Sequence, residues 1–311
     1  MFGAYNEERL RRKINNMNSV KTTIQDLQII KRPGTDTTEI EEANGVVWLR
    51  YKILKHIPWI NHAFSTRTGG VSPLPYGNMN LSFNVGDADN NVRENFRLFG
   101  EAVGIPAEKM VYSDQVHSTN VLCVSSKEKG MGIIRDRDFS DIDGLITDEA
   151  GVCLVTSHAD CVPVYFVDTK KRVIALSHAG WKGTLGNICK NTVNAMKEQY
   201  GTDPADITAC IGPSISSECY EVGPDVADKF KNSFSKDQIG IILFPSKDNE
   251  DKYLLDLAEA NRIQMTDCGI PFNQIHMPDL CTSCNTSWLH SHRKTGGKRG
   301  GMCAFLMITD Q

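Results

Sequence analysis

Three short segments combine histidine or cysteine with small or acidic residues, and each falls where a strand is predicted to end. They are SDQVHS with His117, SHADCVP with Asp160 and Cys161, and LSHAGWKG with His178. Two imidazoles and one thiolate suit Zn²⁺ and leave a fourth coordination position for water or substrate. A single strand histidine is more typical of a hydrogen-bonded core residue, so only the three segments together indicate a metal site.

The same side chains allow other chemistry. Two histidines and one cysteine, with a distant methionine, are also the ligands of a blue-copper site. Without a metal, Cys161 could act as nucleophile and His178 as base, as in cysteine hydrolases that act on amides or cell-wall peptides. A zinc ion could also brace a binding module without catalytic activity. The residue types alone leave these interpretations open.

A β-hairpin is predicted around Cys161 and His178. The apolar run CVPVYFV (161–167) is followed by the polar DTKK and then by the apolar RVIALSH (172–178). A symmetric loop centred between Thr169 and Lys170 places Cys161 opposite His178, with the two Cβ atoms about 4.5–5.5 Å apart. Thr-Lys is a poor two-residue turn, and an offset of one residue would send the two side chains to opposite faces.

A helix is predicted after the AGWKG segment that follows His178. It covers TLGNICKNTVNAMKEQYG (184–201), with Thr184 as N-cap and Gly201 as terminator. His178 would then lie at a strand end that faces a helix N-terminus, where unpaired N–H groups favour a phosphate or a developing oxyanion. An ordinary glycine-rich connection between strand and helix fits the same residues.

The remaining pattern predicts one mixed α/β domain over residues 46–311, in which short Val- and Ile-rich runs alternate with turns and a few helical segments. Residues 1–45 are predicted to be an N-terminal extension. Its end, RPGTDTTEIEEANG (32–45), has the composition of a linker. Residues 6–30 could form an amphipathic helix with Leu10, Ile14, Met17, Ile24 and Leu27 on one face. The helix could be a dimer arm or a disordered tail, so a homodimer stays an open alternative.

Composition limits the classes of protein to consider. The 311 residues are 40% hydrophobic and 23% charged, with a formal charge of −4. A chain of this length can bury roughly three quarters of its unfolded surface, so a metal is not needed for folding and any metal site is expected to be functional. The charge lacks the basic excess of a phosphate-backbone binder, so nucleic acid is not expected as a partner.

The use of cysteine, together with the absence of an apolar segment long enough for a signal peptide or a membrane span, predicts a cytoplasmic protein. Several of the ten cysteines lie in apolar runs such as GVCLV and TACIG, which is typical of core packing in a reducing compartment. The N-terminus has no apolar h-region, and no run approaches the ~18 apolar residues of a membrane span. No membrane association is therefore expected.

Several metal motifs are excluded by counting. Copper oxidases that reduce oxygen to water use about ten histidines in repeated His-x-His pairs, whereas this chain has eight histidines and one such pair, His290 and His292. The zinc deaminase motif His-x-Glu is absent. Cys281 and Cys284 form a lone Cys-x-x-Cys, and zinc ribbons need two such pairs, so no structural zinc is predicted there.

Taken together, the motifs resemble the laccase-domain family, long labelled multicopper polyphenol oxidases and more recently assigned as purine nucleoside enzymes. The resemblance runs from about His62 to the C-terminus. Two departures are Lys182, where arginine is more usual, and the basic end GGKRG. The segments that carry it are FSTRTGGVS (64–72), NMNLSFNVGD (78–87), QVH (115–117), DIDGLIT (141–147), HADCVPV (158–164), HAGWKGT (178–184), IGPSISSECYEVG (211–223), CTSCN (281–285) and SHRKTGGKRG (291–300).

The resemblance implies a fold, a metal and an activity. The expected fold is mixed α/β, with β-sheets packed against each other and covered by helices. The expected metal is zinc, with Cu²⁺ as the alternative, held by His117, Cys161 and His178; the assignment of His117 depends on the resemblance alone. The expected reaction is phosphorolysis of adenosine, inosine, guanosine and 5′-methylthioadenosine to base and ribose 1-phosphate, with adenosine deamination as a second activity.

Roles for further residues follow from that chemistry. Deamination needs a hydroxide, which a zinc with one open position supplies at about neutral pH. Asp160 is predicted either to orient that water or move a proton, or to be the hydrogen-bond partner of a histidine. Arginine forks and glycine N–H groups suit the phosphate co-substrate. Arg67 and Arg293 each lie in a glycine-rich segment and are predicted to bind phosphate, with a solvated surface loop as the alternative. Lys182 would add positive charge. The residues predicted to hydrogen-bond the base or ribose are Asn80, Gln115 and Tyr220.

Overall fold

The computed structural model describes residues 28–309. The amphipathic helix predicted for residues 6–30 lies outside this range except for its last three residues, which are not helical. No helix among residues 28–309 is long and apolar enough to cross a membrane.

The described residues contain fifteen strands and eight α-helices. The strands are β1 (Thr38–Ala43), β2 (Val46–Tyr51), β3 (Ile60–Ser65), β4 (Met110–Tyr112), β5 (Val121–Cys123), β6 (Gly144–Thr147), β7 (Cys153–His158), β8 (Val162–Asp168), β9 (Val173–Ala179), β10 (Ile207–Ile211), β11 (Glu221–Val222), β12 (Leu243–Pro245), β13 (Tyr253–Leu255), β14 (Ile275–His276) and β15 (Met302–Ile308). The helices are α1 (Lys52–Lys55), α2 (Asp89–Val103), α3 (Trp181–Leu185), α4 (Ile188–Tyr200), α5 (Pro224–Ser233), α6 (Lys236–Ile242), α7 (Leu257–Asp267) and α8 (His292–Thr295).

Two six-stranded sheets form the centre of the protein. The first has the order β1-β2-β3-β15-β7-β4 and the second has the order β14-β10-β8-β9-β6-β5. Apolar side chains of both sheets, such as Leu154 of β7 and Leu176 of β9, share one buried cluster, so the sheets pack face to face. The Tyr165 hydroxyl joins them by donating a hydrogen bond to the Ala63 carbonyl at 2.9 Å.

Helices cover the outer face of each sheet. Helix α2 packs Phe96 and Phe99 against the first sheet, and α4 to α7 pack against the second, with Val193 and Phe230 in the buried cluster there. A small third sheet, β11-β13-β12, completes that side. The prediction of a mixed α/β fold with packed sheets and flanking helices is confirmed.

The predicted hairpin is formed by β8 and β9, but its register differs from the predicted one. Pro163, not Cys161, lies opposite His178. The reason is the loop, which has four residues because the Asp168 carboxylate accepts hydrogen bonds from the N–H groups of Lys170 and Lys171, both at 2.9 Å. The pairing is displaced by two residues, so Cys161 and His178 keep the same face of the strand pair.

The helix predicted after residue 184 begins later than expected. Thr184 is not an N-cap, because it lies inside the short helix α3 and its hydroxyl accepts a hydrogen bond from Asn261 at 3.0 Å. Helix α4 starts after Asn187, whose left-handed backbone (φ 63°) separates it from α3. Gly201 ends α4 with φ 68°, as predicted.

The predicted boundary at residue 45 falls inside a hairpin. Strand β1 pairs along its whole length with β2, and Thr38 donates hydrogen bonds to the Asp279 carboxylate from its N–H and its hydroxyl. Ile29 is also buried. Within the segment predicted to be a linker, residues 38–43 therefore form an edge strand of the first sheet, where one side of the strand contacts solvent.

A buried neutral histidine in the first sheet gives a prediction for acid stability. His62 is fully buried and its Nε2 accepts a hydrogen bond from the Tyr51 N–H at 2.8 Å. Burial lowers its pKa from 6.5 to about 3. Between these values the unfolded chain binds a proton that the folded chain does not, so the free energy of unfolding falls as the pH falls. From pH 7 to pH 5 we expect His62 to account for a loss of about 2 kcal/mol.

Urea unfolding at the two pH values measures this loss. His62→Gln keeps an acceptor for Tyr51 and should lose about 2 kcal/mol less than the wild type between pH 7 and pH 5. His56→Gln, at an exposed position, serves as the control and should behave as the wild type does. Equal losses in wild type and His62→Gln would contradict the prediction.

Candidate metal centre

Three side chains from different parts of the chain meet at one end of the two-sheet centre. His117 lies in the loop between β4 and β5, Cys161 in the connection from β7 to β8, and His178 next to the end of β9. One ligand atom from each residue lies within 4.8 Å of the others. Cys161 Sγ is 3.8 Å from His117 Nε2. His117, which spacing could not place, thus joins the other two.

Asp143 organises this cluster, and the sequence interpretation did not single it out. Its carboxylate accepts a hydrogen bond from His178 Nδ1 at 2.7 Å, and also accepts from the N–H groups of Val116, His117 and Ser118. Nδ1 of His178 is therefore occupied, which leaves Nε2 for a metal. The residue stands in the DIDGLIT segment, 26 residues after His117 and 35 before His178, so no spacing in the sequence indicates its contact with them.

His158 is close to the cluster but has a different position. Its ring lies 5.3 Å from that of His178. Nδ1 donates to the Cys161 carbonyl at 3.2 Å, and Nε2 is paired with the Thr156 hydroxyl at 2.8 Å. Burial and the charge of His178 hold its pKa well below the usual value. His158 is thus a neutral residue that fixes the backbone of Cys161.

The electrostatics of the cluster favour a thiolate beside a charged imidazole. Burial opposes ionisation of Cys161, but the positive charge of His178 and the hydrogen bond from His117 outweigh it and lower the thiol pKa to about 6. For His178, burial is likewise outweighed by the Cys161 thiolate and the Asp143 carboxylate, which raise the pKa to about 9. The site is therefore suited to hold a positive charge.

The donor set fits a zinc ion. Zinc binds imidazole nitrogen and thiolate sulfur at about 2.0–2.3 Å in tetrahedral geometry, and the three ligand atoms are near enough for small side-chain rotations to reach it. His117 is exposed whereas His178 is buried. The exposed side leaves a fourth position that solvent or substrate can reach.

The absence of a side chain at Gly180 leaves room for His117 and Cys161. A Cβ atom at this position would lie 2.7 Å from His117 Cδ2 and 3.0 Å from Cys161 Sγ. We expect Gly180→Ala to displace the ligands and weaken zinc binding by about tenfold or more, as measured by competition with a chromogenic chelator. Gly183→Ala is the matched control, because its nearest contacts are at 3.4 Å. Equal zinc affinity in the two variants would contradict this role of Gly180.

Asp160 adjoins the cluster and is held from two sides. Its carboxylate accepts a hydrogen bond from the Thr282 hydroxyl at 2.6 Å and another from the Arg293 N–H at 2.7 Å. Its backbone is left-handed, with φ 86°. Asp160 thus links the connection that carries Cys161 to the loop that carries Thr282 and to the short helix α8 that carries Arg293.

Cationic and aromatic side chains lie beside Asp160. The Arg293 guanidinium stacks on the Tyr220 ring, 4.9 Å from its centroid. Burial lowers the pKa of Arg299, and the negative charges of Asp160 and Cys161 act against that shift. The Nε of Arg299 is buried and has no hydrogen-bond partner among the described residues. Arg299, which the sequence interpretation passed over in GGKRG, donates a hydrogen bond to the Gly300 carbonyl at 3.0 Å and pairs with His292 Nδ1 at 3.4 Å, near enough to Asp160 and Cys161 for their charges to act on it.

Two of the predicted substrate residues make hydrogen bonds within the protein. The Asn80 amide is buried and makes four, donating to Ser82 and Asp87 and accepting from Ser82 and Gly301. Gln115 pairs with both backbone groups of Ser157, at 2.6 and 2.8 Å. Asn80 therefore braces buried loops, and Gln115 fixes the loop that carries His117.

The other two predicted phosphate residues lie in different surroundings. Arg67 is half-buried, donates to the Thr286 carbonyl at 2.8 Å and contacts the Gly77 loop. Lys182 is exposed on α3, with its ammonium 5.7 Å from the centroid of the Trp181 ring. Within residues 28–309, no hydrogen bond or ion pair joins Arg67 or Lys182 to His117, Cys161 or His178.

The protein is thus of the α/β class, with two packed sheets and flanking helices. Its candidate metal centre, the His–Cys–His cluster, lies at one end of the two sheets. Residues 61–309 match the family model described as multi-copper polyphenol oxidoreductase laccase, and the chain belongs to this family. The resemblance found in the sequence motifs is confirmed.

Similar proteins carry a more specific name. A protein of Bacteroides thetaiotaomicron called purine nucleoside phosphorylase is 37% identical over 262 residues, which are 84% of this chain and 96% of the relative. Purine nucleoside phosphorylase YlmD of Geobacillus stearothermophilus is 36% identical over 247 residues, 78% of this chain and 88% of the relative. The crystal structure of YlmD from that organism superposes with a TM-score of 0.79 at 34% identity, covering 88% of this chain and 100% of the solved one.

Proposed function

We propose that this protein is a zinc-dependent purine nucleoside phosphorylase. It would convert adenosine, inosine, guanosine and 5′-methylthioadenosine to the free base and ribose 1-phosphate, and would deaminate adenosine as a second activity. The observation that carries the proposal is the His–Cys–His cluster with Arg293 and Arg299 near the adjoining Asp160, in a chain whose relatives are named purine nucleoside phosphorylases.

In this proposal His117, Cys161 and His178 hold the metal. A zinc ion there supplies positive charge and an open coordination position that polarises a bound group. Asp143 keeps His178 in the tautomer that presents Nε2, since its carboxylate accepts a hydrogen bond from the N–H at Nδ1. His158 and Gln115 fix the backbone segments from which Cys161 and His117 project.

Phosphorolysis requires cationic residues that hold the phosphate next to the ribose. A phosphate oxygen forms a bond to C1′ of the ribose while the bond from C1′ to the purine nitrogen breaks, and the base leaves with the electron pair and then takes a proton. Arg293 and Arg299 would hold the phosphate, because guanidinium groups bind phosphate through paired N–H donors. Tyr220, under Arg293, offers a flat face for the base or ribose.

Asp160 has a positioning role in this proposal. Both of its carboxylate oxygens accept hydrogen bonds from protein donors, Thr282 and Arg293. These bonds hold helix α8, which carries Arg293, and the loop with Thr282 against the segment with Cys161. A proton transfer by Asp160, as predicted from the sequence, would require one of these hydrogen bonds to open.

A nucleoside panel with and without phosphate tests the function. The purified protein is incubated with each nucleoside, and the products are separated by HPLC. We expect base and ribose 1-phosphate only when phosphate is present, inosine from adenosine without phosphate, and neither product with His117→Ala. Activity that persists in His117→Ala at the wild-type rate would identify a contaminating enzyme and refute the proposal.

Substitution of Arg299 should affect phosphate more than nucleoside. Arg299→Ala removes a half-buried guanidinium whose Nε has no hydrogen-bond partner among residues 28–309, so we expect kcat/KM for phosphate to fall about 10–100-fold, or about 1.4–2.7 kcal/mol. Steady-state kinetics at saturating inosine measure this value. Lys298→Ala, at the exposed neighbouring position, is the control. A fall confined to kcat/KM for inosine would show that Arg299 acts on the nucleoside and not on the phosphate.

One observation favours a second candidate function. Cys161, His178 and Asp143 form a chain of thiol, imidazole and carboxylate, with the thiol pKa lowered to about 6. This arrangement also suits a cysteine nucleophile with a histidine base and an orienting acid. A metal-independent amide hydrolase is therefore the alternative, and the Cys161→Ser variant separates the two.

The identity of the metal and the location of the protein are also part of the proposal. Metal analysis of protein purified without added copper should find zinc, whereas stoichiometric copper with the intense blue colour of a thiolate-bound Cu²⁺ would favour the oxidase alternative. All ten cysteines are free, which fits the reducing cytoplasm.

A further inference from the structure

A second group of sulfur atoms lies outside the site described above. Cys219 belongs to the loop between β10 and β11, whereas Cys281 and Cys284 lie in the loop that follows β14. Their Sγ atoms all lie within 4.8 Å of one another, and those of Cys219 and Cys284 are 3.5 Å apart. The Cys-x-x-Cys pair, which looked isolated in the sequence, therefore has a third thiol 62 residues before it.

The spacing of these sulfur atoms resembles that of thiolates around a metal. Bonds of about 2.3 Å in tetrahedral geometry keep sulfur atoms about 3.8 Å apart. A disulfide needs a separation of about 2.05 Å, and the three cysteines are free. The distances therefore match a shared cation better than a covalent bond between two of the sulfurs.

The surroundings of Cys281 favour ionised sulfur. Cys281 is buried, and its Sγ accepts a hydrogen bond from the Ser216 N–H at 3.3 Å. Cys219 and Cys284 are half-buried, so the cluster remains open to an ion from solvent.

The backbone already holds the two loops in register. Ser214 and Cys281 form an isolated bridge, and the Thr282 N–H donates to the Ser214 carbonyl at 3.1 Å. The Asn285 amide donates to the Cys281 carbonyl at 2.9 Å. A preorganised set of three thiols loses little conformational freedom when it takes up a cation.

We propose that Cys219, Cys281 and Cys284 form a second metal site, which binds a thiophilic cation of the zinc class through three thiolates. No fourth histidine, cysteine or carboxylate joins the group among residues 28–309, so the remaining position is open to water. This inference does not depend on the proposed function, because it concerns separate residues and a separate ion.

The position of the site suggests what it does. Thr282, between two of the cysteines, donates to Asp160, and Tyr220, which follows Cys219, lies against Arg293. A cation bound to the three sulfurs would fix both loops at the places where they meet the first site. The second site is therefore a structural brace for Asp160 and Tyr220.

Metal content of the full-length protein tests the proposal. Protein dialysed against buffered zinc and then against metal-free buffer is analysed for zinc per chain. We expect two ions in the wild type, one in Cys284→Ser, one in Cys161→Ser and two in the control Cys268→Ser, a half-buried cysteine outside both clusters. A Cys284→Ser variant that keeps the wild-type zinc content would overturn the proposal.

A measurement on the unaltered protein covers the case in which a variant does not fold. Alkylation with and without bound zinc, followed by mass spectrometry, identifies the cysteines that the metal protects. We expect zinc to protect the half-buried Cys219 and Cys284 in addition to Cys161, whereas the buried Cys281 is shielded in both states. Protection of Cys161 alone, or a disulfide between Cys219 and Cys284 in the non-reduced digest, would refute the site.

Discussion

Replacing Cys161 by serine should remove both the metal and the activity. The hydroxyl is a much weaker zinc ligand than the thiolate, and it cannot supply the negative charge that the pKa of about 6 gives to Cys161 beside the two histidines. We expect the zinc of this site to be lost during dialysis, and phosphorolysis of inosine to fall about 10²–10³-fold. Zinc analysis and HPLC of the products are performed on the same preparation.

The same variant distinguishes a metal ligand from a nucleophile. If Cys161 attacked an amide directly, Cys161→Ser would keep its metal content and lose only the hydrolysis. Cys268→Ser again serves as the control, since Cys268 is half-buried like Cys161 but lies away from the cluster. A Cys161→Ser variant that keeps full zinc occupancy of this site but has lost amide hydrolysis would therefore favour the hydrolase alternative.

Replacing Asp143 by asparagine should weaken the site without removing any ligand. The carboxylate accepts from His178 Nδ1 and from the N–H groups of Val116, His117 and Ser118. An asparagine has one oxygen and one NH₂ group, so at least one of these donors would face another donor. We expect zinc affinity and kcat/KM to fall about 10–100-fold.

The comparison for this variant is Asp141→Asn. Asp141 is exposed and stands two residues earlier in the same segment, so the variant carries the same change of charge near the site. Zinc affinity from chelator competition and kcat/KM for inosine are measured on both. Equal losses in the two variants would show that net charge, and not the orientation of His178 and the His117 loop, is responsible.

Local patterns in the sequence predicted the parts of the fold that depend on neighbouring residues. The apolar runs before and after residue 170 form β8 and β9, and Gly201 ends α4, because burial and backbone conformation are local properties. The register of the hairpin depended on the Asp168 side chain, which closes a four-residue loop. Hydrophobic periodicity does not report such a hydrogen bond.

Residues brought together over long distances along the chain could not be predicted from spacing. His117 precedes Cys161 by 44 residues, and its assignment came from family resemblance. Asp143 was missed because an aspartate near a strand start has many structural roles, and its five hydrogen bonds to the His117 loop and to His178 become visible only in three dimensions. Cys219 was missed for the same reason.

The placement of the three candidate ligands has a consequence for the order in which the protein matures. The His117 loop leaves the first sheet, Cys161 lies where the chain crosses to the second sheet, and His178 belongs to the second sheet. The ligand atoms therefore meet only after the two sheets have docked, so metal uptake follows folding and does not initiate it. Because a metal that binds only the docked sheets also stabilises them, scarcity of the metal would reduce the active fraction of the protein and lower the free energy of unfolding of the remaining chain.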